Sequence, residues 1–265
     1  LAAALGDAGI HRPCLVLDLD RLDRNVAAVK ARLAPGMALR VVDKSLPSLP
    51  LLARVREAFG TSLVMTFHAP VSAAVLAEFP DADLLFGKPM PAALAAQMLD
   101  ELPPETAARI VWLIDTPERL AGYAALAQGG GRDLRFCFEV DIGLHRGGLP
   151  DPDALLASLA GLAGHPRLRC EGLMAYEAHI GHVPRLLGGP ERARRKAVSL
   201  FRQYAALLGP GQRAILNIGG STTALAYDAY TGANEISMGS AFVKPTDFDL
   251  PGLAALEPAI FIAAP

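Results

Sequence analysis

The sequence predicts an α/β protein organised as a (β/α)8 TIM-type barrel, and three observations carry that expectation. Short runs rich in Val, Ile, Leu and Phe alternate with longer Ala/Leu/Arg segments at helical spacing, the pattern of repeated βα units. The short runs are continuously apolar, as parallel strands covered on both faces are, and do not alternate apolar with polar. The chain has 265 residues, close to the roughly 250 such a barrel takes. A doubly wound open sheet is the competing arrangement, because it too is built from βα repeats.

Nine runs read as strands: Cys14–Leu19, Ala38–Val42, Ser62–Phe67, Asp83–Phe86, Arg109–Ile114, Leu134–Val140, Leu168–Ala175, Ala214–Ile218 and Glu235–Met238. The segments between them have recognisable helix ends. Asp115-Thr116-Pro117-Glu118 sets a capping residue ahead of a first-turn Pro, and Gly129-Gly130-Gly131 stops that helix. Asp151-Pro152-Asp153 opens the next and Gly164 closes it. Pro190–Leu208 is the longest, with Arg192, Arg194, Arg195 and Lys196 as a solvated face. Nine strands exceed a barrel by one. Setting Cys14–Leu19 aside leaves eight, each but the last followed by a helix or a short turn; the final run Ala259–Ala264 also falls outside. These two outlying strands are expected to pair in a second, β-rich unit. The chain begins LAAALGD without Met and stops in mid-pattern at AIFIAAP, so a piece of a longer protein is expected.

A net charge of -2 gives no electrostatic reason to expect DNA or RNA. No apolar run approaches the roughly 20 residues needed to span a bilayer. The expected partner is therefore a small molecule, with neither nucleic acid nor membrane. Cys14, Cys137 and Cys170 each lie in an apolar strand run with no CxxC pair, which fits small buried hydrophobes in a reducing cytoplasm.

Function in such a barrel collects at the carboxyl ends of the strands. Those positions hold Lys44, His68, Lys88, Asp115, Asp141 with Arg146, Tyr176 with His179, Gly219–Thr223, and Gly239-Ser240. Lys44 and Lys88 both end strands, where desolvation would lower the amine pKa and make an imine-forming nucleophile; an ordinary ion-paired lysine is the alternative for each. Asn217-Ile-Gly-Gly-Ser-Thr-Thr223 follows a strand and reads either as a phosphate cradle of backbone N–H and hydroxyl groups or as a plain tight turn. In Glu139-Val-Asp-Ile-Gly-Leu-His-Arg146, the guanidinium suits a phenolate, carboxylate or phosphate oxygen, the alternative being a surface pair with Asp141. Tyr176-Glu-Ala-His179-Ile-Gly-His182 groups a phenol with two imidazoles; one ring against a flat ligand is preferred to metal binding, since no third ligand is near in sequence.

Together these motifs resemble the fold-type III pyridoxal-phosphate enzymes with an alanine racemase-like N-terminal barrel, in the D-threonine aldolase and D-serine dehydratase branch. The resemblance runs through RPCLVLDLDRLDRNV, RVVDKSLPS, EVDIGLHRGGL, GLMAYEAHIGH, NIGGSTTALAY and NEISMGSAF, in order and spacing. It implies that Lys44 carries pyridoxal 5'-phosphate as a Schiff base and that Arg146 bonds the phenolic oxygen. Tyr176 and His179 would flank the pyridine ring and act with Lys44 in catalysis. Gly219, Gly220, Ser221, Thr222, Gly239 and Ser240 would hold the phosphate, and Lys88 becomes a minor candidate. It also implies a division into an N-terminal strand over 1–19, a cofactor-binding barrel over 20–245, and the start of a C-terminal β domain over 246–265.

Two departures stand out. The branch reads K-T-H-K after its lysine, whereas this chain has Lys44-Ser-Leu-Pro-Ser48. The branch also takes a divalent metal, Zn or Mn, through a C-terminal β domain, so no metal ligand is expected in this chain. The implied activity is a lyase on a D-amino acid with a β-hydroxyl, by dehydration or aldol cleavage, in a cytoplasmic homodimer. A racemase, a pyridoxal-phosphate carrier without turnover, and a barrel binding another phosphorylated metabolite are the alternatives.

Overall fold

The structure, a computed structural model, describes residues 2–184, 186 and 188–263. A short helix α1 (Ala2–Asp7) and strand β1 (Cys14–Leu17) precede the barrel. Eight parallel strands then close on themselves: β2 (Ala38–Val42), β3 (Leu63–Thr66), β4 (Asp83–Phe86), β5 (Ile110–Ile114), β6 (Leu134–Glu139), β7 (Leu168–Met174), β8 (Ile215–Ile218) and β9 (Glu235–Met238). Closure is made by β2 against β9, with Ala38 opposite Glu235 and Val41 opposite Met238. The open-sheet alternative is excluded.

Helices form the outer ring. They are α2 (Leu19–Arg32), α3 (Leu49–Phe59), α4 (Ala69–Glu78), α5 (Ala92–Glu101), α6 (Pro104–Ala107), α7 (Pro117–Gly130), α8 (Pro152–Gly161), α9 (Gly189–Ala206) and a one-turn α10 (Ser240–Val243). Their ends sit where the sequence chemistry puts them. Thr116 Oγ1 accepts the Arg119 N–H at 3.1 Å to start α7, and Gly131 ends it in the left-handed region at φ 61°. Asp151 Oδ1 accepts the Ala154 N–H at 2.8 Å to start α8. The ring of α7 is locked to the sheet by an aromatic ladder: Phe86 stacks on Trp112 at 5.0 Å, and Trp112 meets Tyr123 at 5.6 Å.

Two expectations are corrected. The first strand stops at Leu17, not Leu19, because Asp18 turns into a helix cap and its Oδ1 accepts the Arg21 N–H at 3.0 Å. The last barrel strand does carry a helix, α10, which packs against α2. Strand β10 (Ile260–Ala263) pairs antiparallel with β1 outside the barrel, Cys14 opposite Ala263 and Leu17 opposite Ile260. Ala264, the end of the expected run, lies outside the described residues. Buried Asn25 ties this region down: its side-chain amide donates to the Phe242 and Glu257 carbonyls and its oxygen accepts the Glu257 N–H. Cys137 and Cys170 are buried and Cys14 is half-buried, all as free thiols.

A charge cluster built on the fully buried Arg40 sits in the barrel. Arg40 forms a two-pronged bond with Glu235 at 2.7 and 2.9 Å and reaches Asp83 Oδ1 at 3.0 Å. Asn217 then donates to Glu235 at 3.2 Å and exchanges hydrogen bonds with Ser237. This connected network satisfies groups that would each cost several kcal/mol, on the order of 3–5, if left alone. It ends at Asn217 and Ser237, which form the floor of a cleft.

Candidate active site

The cleft opens at the carboxyl ends of the strands and encloses about 600 Å3 of space open to solvent. Its lining includes Lys44, Ser45, Phe67, Arg146, Tyr176, Gly219, Gly220, Ser221, Thr222, Gly239 and Ser240. Every residue in that set follows the end of a barrel strand, which is why residues far apart in sequence converge.

Lys44 lies in a one-turn 3-10 helix (Asp43–Ser45) that bends the chain as it leaves β2. Its Nζ stands 4.8 Å from the centre of the Phe67 ring. The residue is exposed, so the partly desolvated setting expected for it is absent from this chain. Lys88 is exposed too, and it stands outside the cleft lining.

Arg146 lies over the Tyr176 ring at 5.0 Å, and its Nη2 donates to Glu139 Oε1 at 2.9 Å. Glu139 is buried, and burial pushes its carboxyl pKa up against the opposing pull of Arg146. The alternative reading, a surface pair of Arg146 with Asp141, does not form. Asp141 instead accepts the N–H groups of Gly143 and His145 in a local turn and pairs with the His145 ring at 2.6 Å. Burial raises the Tyr176 phenol above its ordinary value, which keeps its proton on.

The loop after β8 and the turn after β9 form a cradle. Gly219 takes a left-handed φ of 89° that a side chain would resist. At Gly239 a Cβ would stand 2.6 Å from the Val42 carbonyl oxygen, so only glycine lets these backbones approach. Ser221 Oγ accepts the Ala241 N–H at 3.0 Å, and the Ser45 and Ser240 hydroxyls meet at 2.7 Å. Among the described residues the backbone N–H groups of Ser221 and Thr222 make no hydrogen bond, which leaves them available to an anion. Thr223 turns away from the cleft and points inward.

Of the residues that the family resemblance assigns to the cofactor, His179 is the one not brought into this lining; His68, Lys88, Asp115 and Asp141, which also follow strand ends, lie outside it as well. The Ile180 N–H bonds the Glu177 carbonyl at 3.1 Å and starts a 3-10 turn, which places the His179 ring beside Gly143 and His145 in a neighbouring pocket. Burial lowers the His179 pKa, and its Nδ1 is enclosed without a hydrogen-bond partner among the described residues. Residues the sequence did not single out are Ser45, Phe67, Asn217 as cleft floor, Ser237 and buried Glu177. An amine, a fixed guanidinium and an anion cradle in one cleft fit a phosphorylated aldehyde cofactor. Among the described residues no group of three or more His, Cys, Asp or Glu could hold a metal ion.

The chain is similar to several known proteins. A 3-hydroxy-D-aspartate aldolase of Paracoccus denitrificans is 26% identical over 246 residues, 92% of this chain and 63% of the relative. A D-threonine aldolase of an Arthrobacter species is 29% identical over 269 residues, 97% of this chain and 68% of the relative. The chain thus spans about 63% of the length of the aldolase it matches in Paracoccus. Among solved structures, D-threo-3-hydroxyaspartate dehydratase from a Delftia species superposes with a TM-score of 0.76 at 20% identity, covering 94% of this chain and 66% of that one. Alanine racemase from E. faecalis superposes with a TM-score of 0.75 at 20% identity, covering 96% and 66%. The profile described as alanine racemase, N-terminal domain, matches residues 17–246, and the chain belongs to that family.

Proposed function

We propose that this chain is the cofactor-binding barrel of a pyridoxal-phosphate-dependent lyase that acts on β-hydroxy-D-amino acids by dehydration or by aldol cleavage. The observation that carries the reading is the presence of Lys44, Arg146 and the Gly219–Thr222 cradle in the lining of a single cleft. Support for a lyase comes from the relatives, which are named as aldolases and a dehydratase of hydroxylated D-amino acids.

Lys44 Nζ would hold the cofactor covalently, and the Ser221 and Thr222 N–H and hydroxyl groups would hold its phosphate. Bound there, pyridoxal phosphate supplies an electron sink for the charge left when a bond at Cα breaks. Arg146, steered by Glu139, offers its free N–H groups to an oxyanion. Phe67, Met65 and Met174 give the cleft apolar walls. Tyr176 keeps its proton and contributes a wall with a hydroxyl edge.

The test is spectroscopic first and catalytic second. Purified protein mixed with pyridoxal 5'-phosphate is expected to develop a visible absorbance band that borohydride abolishes and that Lys44→Ala lacks. The holoprotein is then expected to release an oxo acid with ammonia, or an aldehyde with glycine, from a panel of β-hydroxy-D-amino acids. Absence of the band sinks the cofactor assignment, and racemisation of alanine without either product sinks the lyase assignment.

A further inference from the structure

Glu177 is fully buried directly behind the anion cradle, and the chemistry outlined above makes no use of it. Its carboxylate accepts three hydrogen bonds from the segment that follows β8. The Gly219 N–H bonds Oε2 at 3.3 Å, the Tyr227 hydroxyl bonds Oε1 at 2.8 Å, and the Thr223 hydroxyl bonds the same oxygen. Thr223 Oγ1 in turn accepts the Gly220 N–H at 3.2 Å, so two successive backbone amides are tied back toward one carboxylate. The groups bonded to Glu177 are donors: the two hydroxyls and the Gly219 amide. Such a ring of donors suits an acceptor-only, ionised carboxylate.

A negative charge behind an anion site opposes binding by simple repulsion. Its presence there therefore calls for a compensating role, and the hydrogen bonds supply one. By drawing Gly219, Gly220 and Thr223 inward, Glu177 turns the following amides of Ser221 and Thr222 toward the cleft, where they have no partner among the described residues. Without that anchor a Gly-Gly turn has many conformations to sample, and the cradle would lose its shape.

We propose that Glu177 is a positioning residue of the phosphate site, whose buried carboxylate holds the 219–223 loop in the shape that receives a phosphate ester. The proposal rests on the pyridoxal-phosphate reading of the cleft, and it assigns the recognition of the ester to a residue that never touches it.

The experiment compares affinities for pyridoxal 5'-phosphate and for pyridoxal, both followed by the borohydride-sensitive visible band, in the wild-type protein and in Glu177→Gln. A merely structural role would weaken both ligands alike. The positioning role changes their ratio: the wild type prefers the phosphate ester, and Glu177→Gln is expected to lose about tenfold of that preference, roughly one charged hydrogen bond, while pyridoxal affinity stays within about twofold. Tyr227→Phe removes a single donor and keeps the carboxylate, so it serves if Glu177→Gln fails to fold; a smaller loss in the same direction is expected. An ester preference unchanged in the variants overturns the role of Glu177 alone. A wild-type protein with no preference for the ester overturns the reading of the cleft and the role of Glu177 together.

Discussion

Gly239 shows how much of the cleft depends on single atoms. Adding one methyl there would drive a Cβ to 2.6 Å from the Val42 carbonyl oxygen, a backbone atom next to the Lys44 turn that has nowhere to yield. Gly239→Ala is expected to lower affinity for pyridoxal 5'-phosphate by about tenfold or more while costing only about 1–3 kcal/mol of stability, as modest overpacking does; titration and urea denaturation check the two parts. Arg40 is the opposite case, structural and remote from the ligand. Arg40→Met leaves buried Glu235 without its cation, while Asp83 keeps Arg135 at 2.8 Å, and is expected to cost about 3–5 kcal/mol in urea denaturation. At this scale the sequence was informative where a scarce lysine follows an apolar strand, as Lys44 does after β2, and where a Gly-containing loop after β6 carries Arg146. It was silent on Glu177, whose meaning comes from Gly219, Thr223 and Tyr227, 42, 46 and 50 residues further along the chain. The choice of Glu139 over Asp141 as the partner of Arg146 was also hidden, because the local turn that occupies Asp141 is a matter of backbone geometry.

Strands and long helices were legible because each follows from a local signal. Thr116 and Asp151 cap, Gly131 terminates, and continuous apolar runs mark strands covered on both sides. What was not legible lies where a tertiary contact decides. The 3-10 turn at Ile180–His182 carries His179 out of the cleft, and α10 is a single turn held by its packing against α2. Asn25 is the pin of that last arrangement, bonding the Phe242 carbonyl of α10 at 2.9 Å and both backbone groups of Glu257. Asn25→Ala strands buried backbone groups and is expected to cost about 1–3 kcal/mol. Because those groups lie just beyond Gly239-Ser240, the variant is also expected to weaken phosphate-ester binding, and a loss of stability with wild-type affinity would show that the pin does not reach the cradle.

The whole molecule places charge in its interior and hydrophobic surface around it, and pH reads out the cost. Burial pushes the carboxyls of Asp43 and Glu177 up to about 6, and that of Glu139 upward as well. A carboxyl with a raised folded-state pKa contributes stability that is complete below its unfolded value and lost as pH rises through about 6. The melting temperature of the cofactor-free protein is therefore expected to rise as pH falls from neutrality toward about 5, by about 2–4 °C per kcal/mol recovered. His179, with a lowered pKa, works against this trend, and the carboxyls held low by arginine partners, such as Asp81, reverse it only below the ordinary carboxylate range. The barrel was the most legible feature of all, since its eight strands each carry their own apolar run. That β1 and β10 would pair with each other was foreseen from the strand count, and their register was not.

The most direct measurement is to mix the protein with pyridoxal 5'-phosphate, reduce it with borohydride and locate the modified lysine by peptide mass spectrometry. Of the five lysines, Lys30, Lys44, Lys88, Lys196 and Lys244, the expected result is stoichiometric modification of Lys44. Modification of Lys88, or scattered labelling across the surface lysines, would contradict the assignment of the cleft.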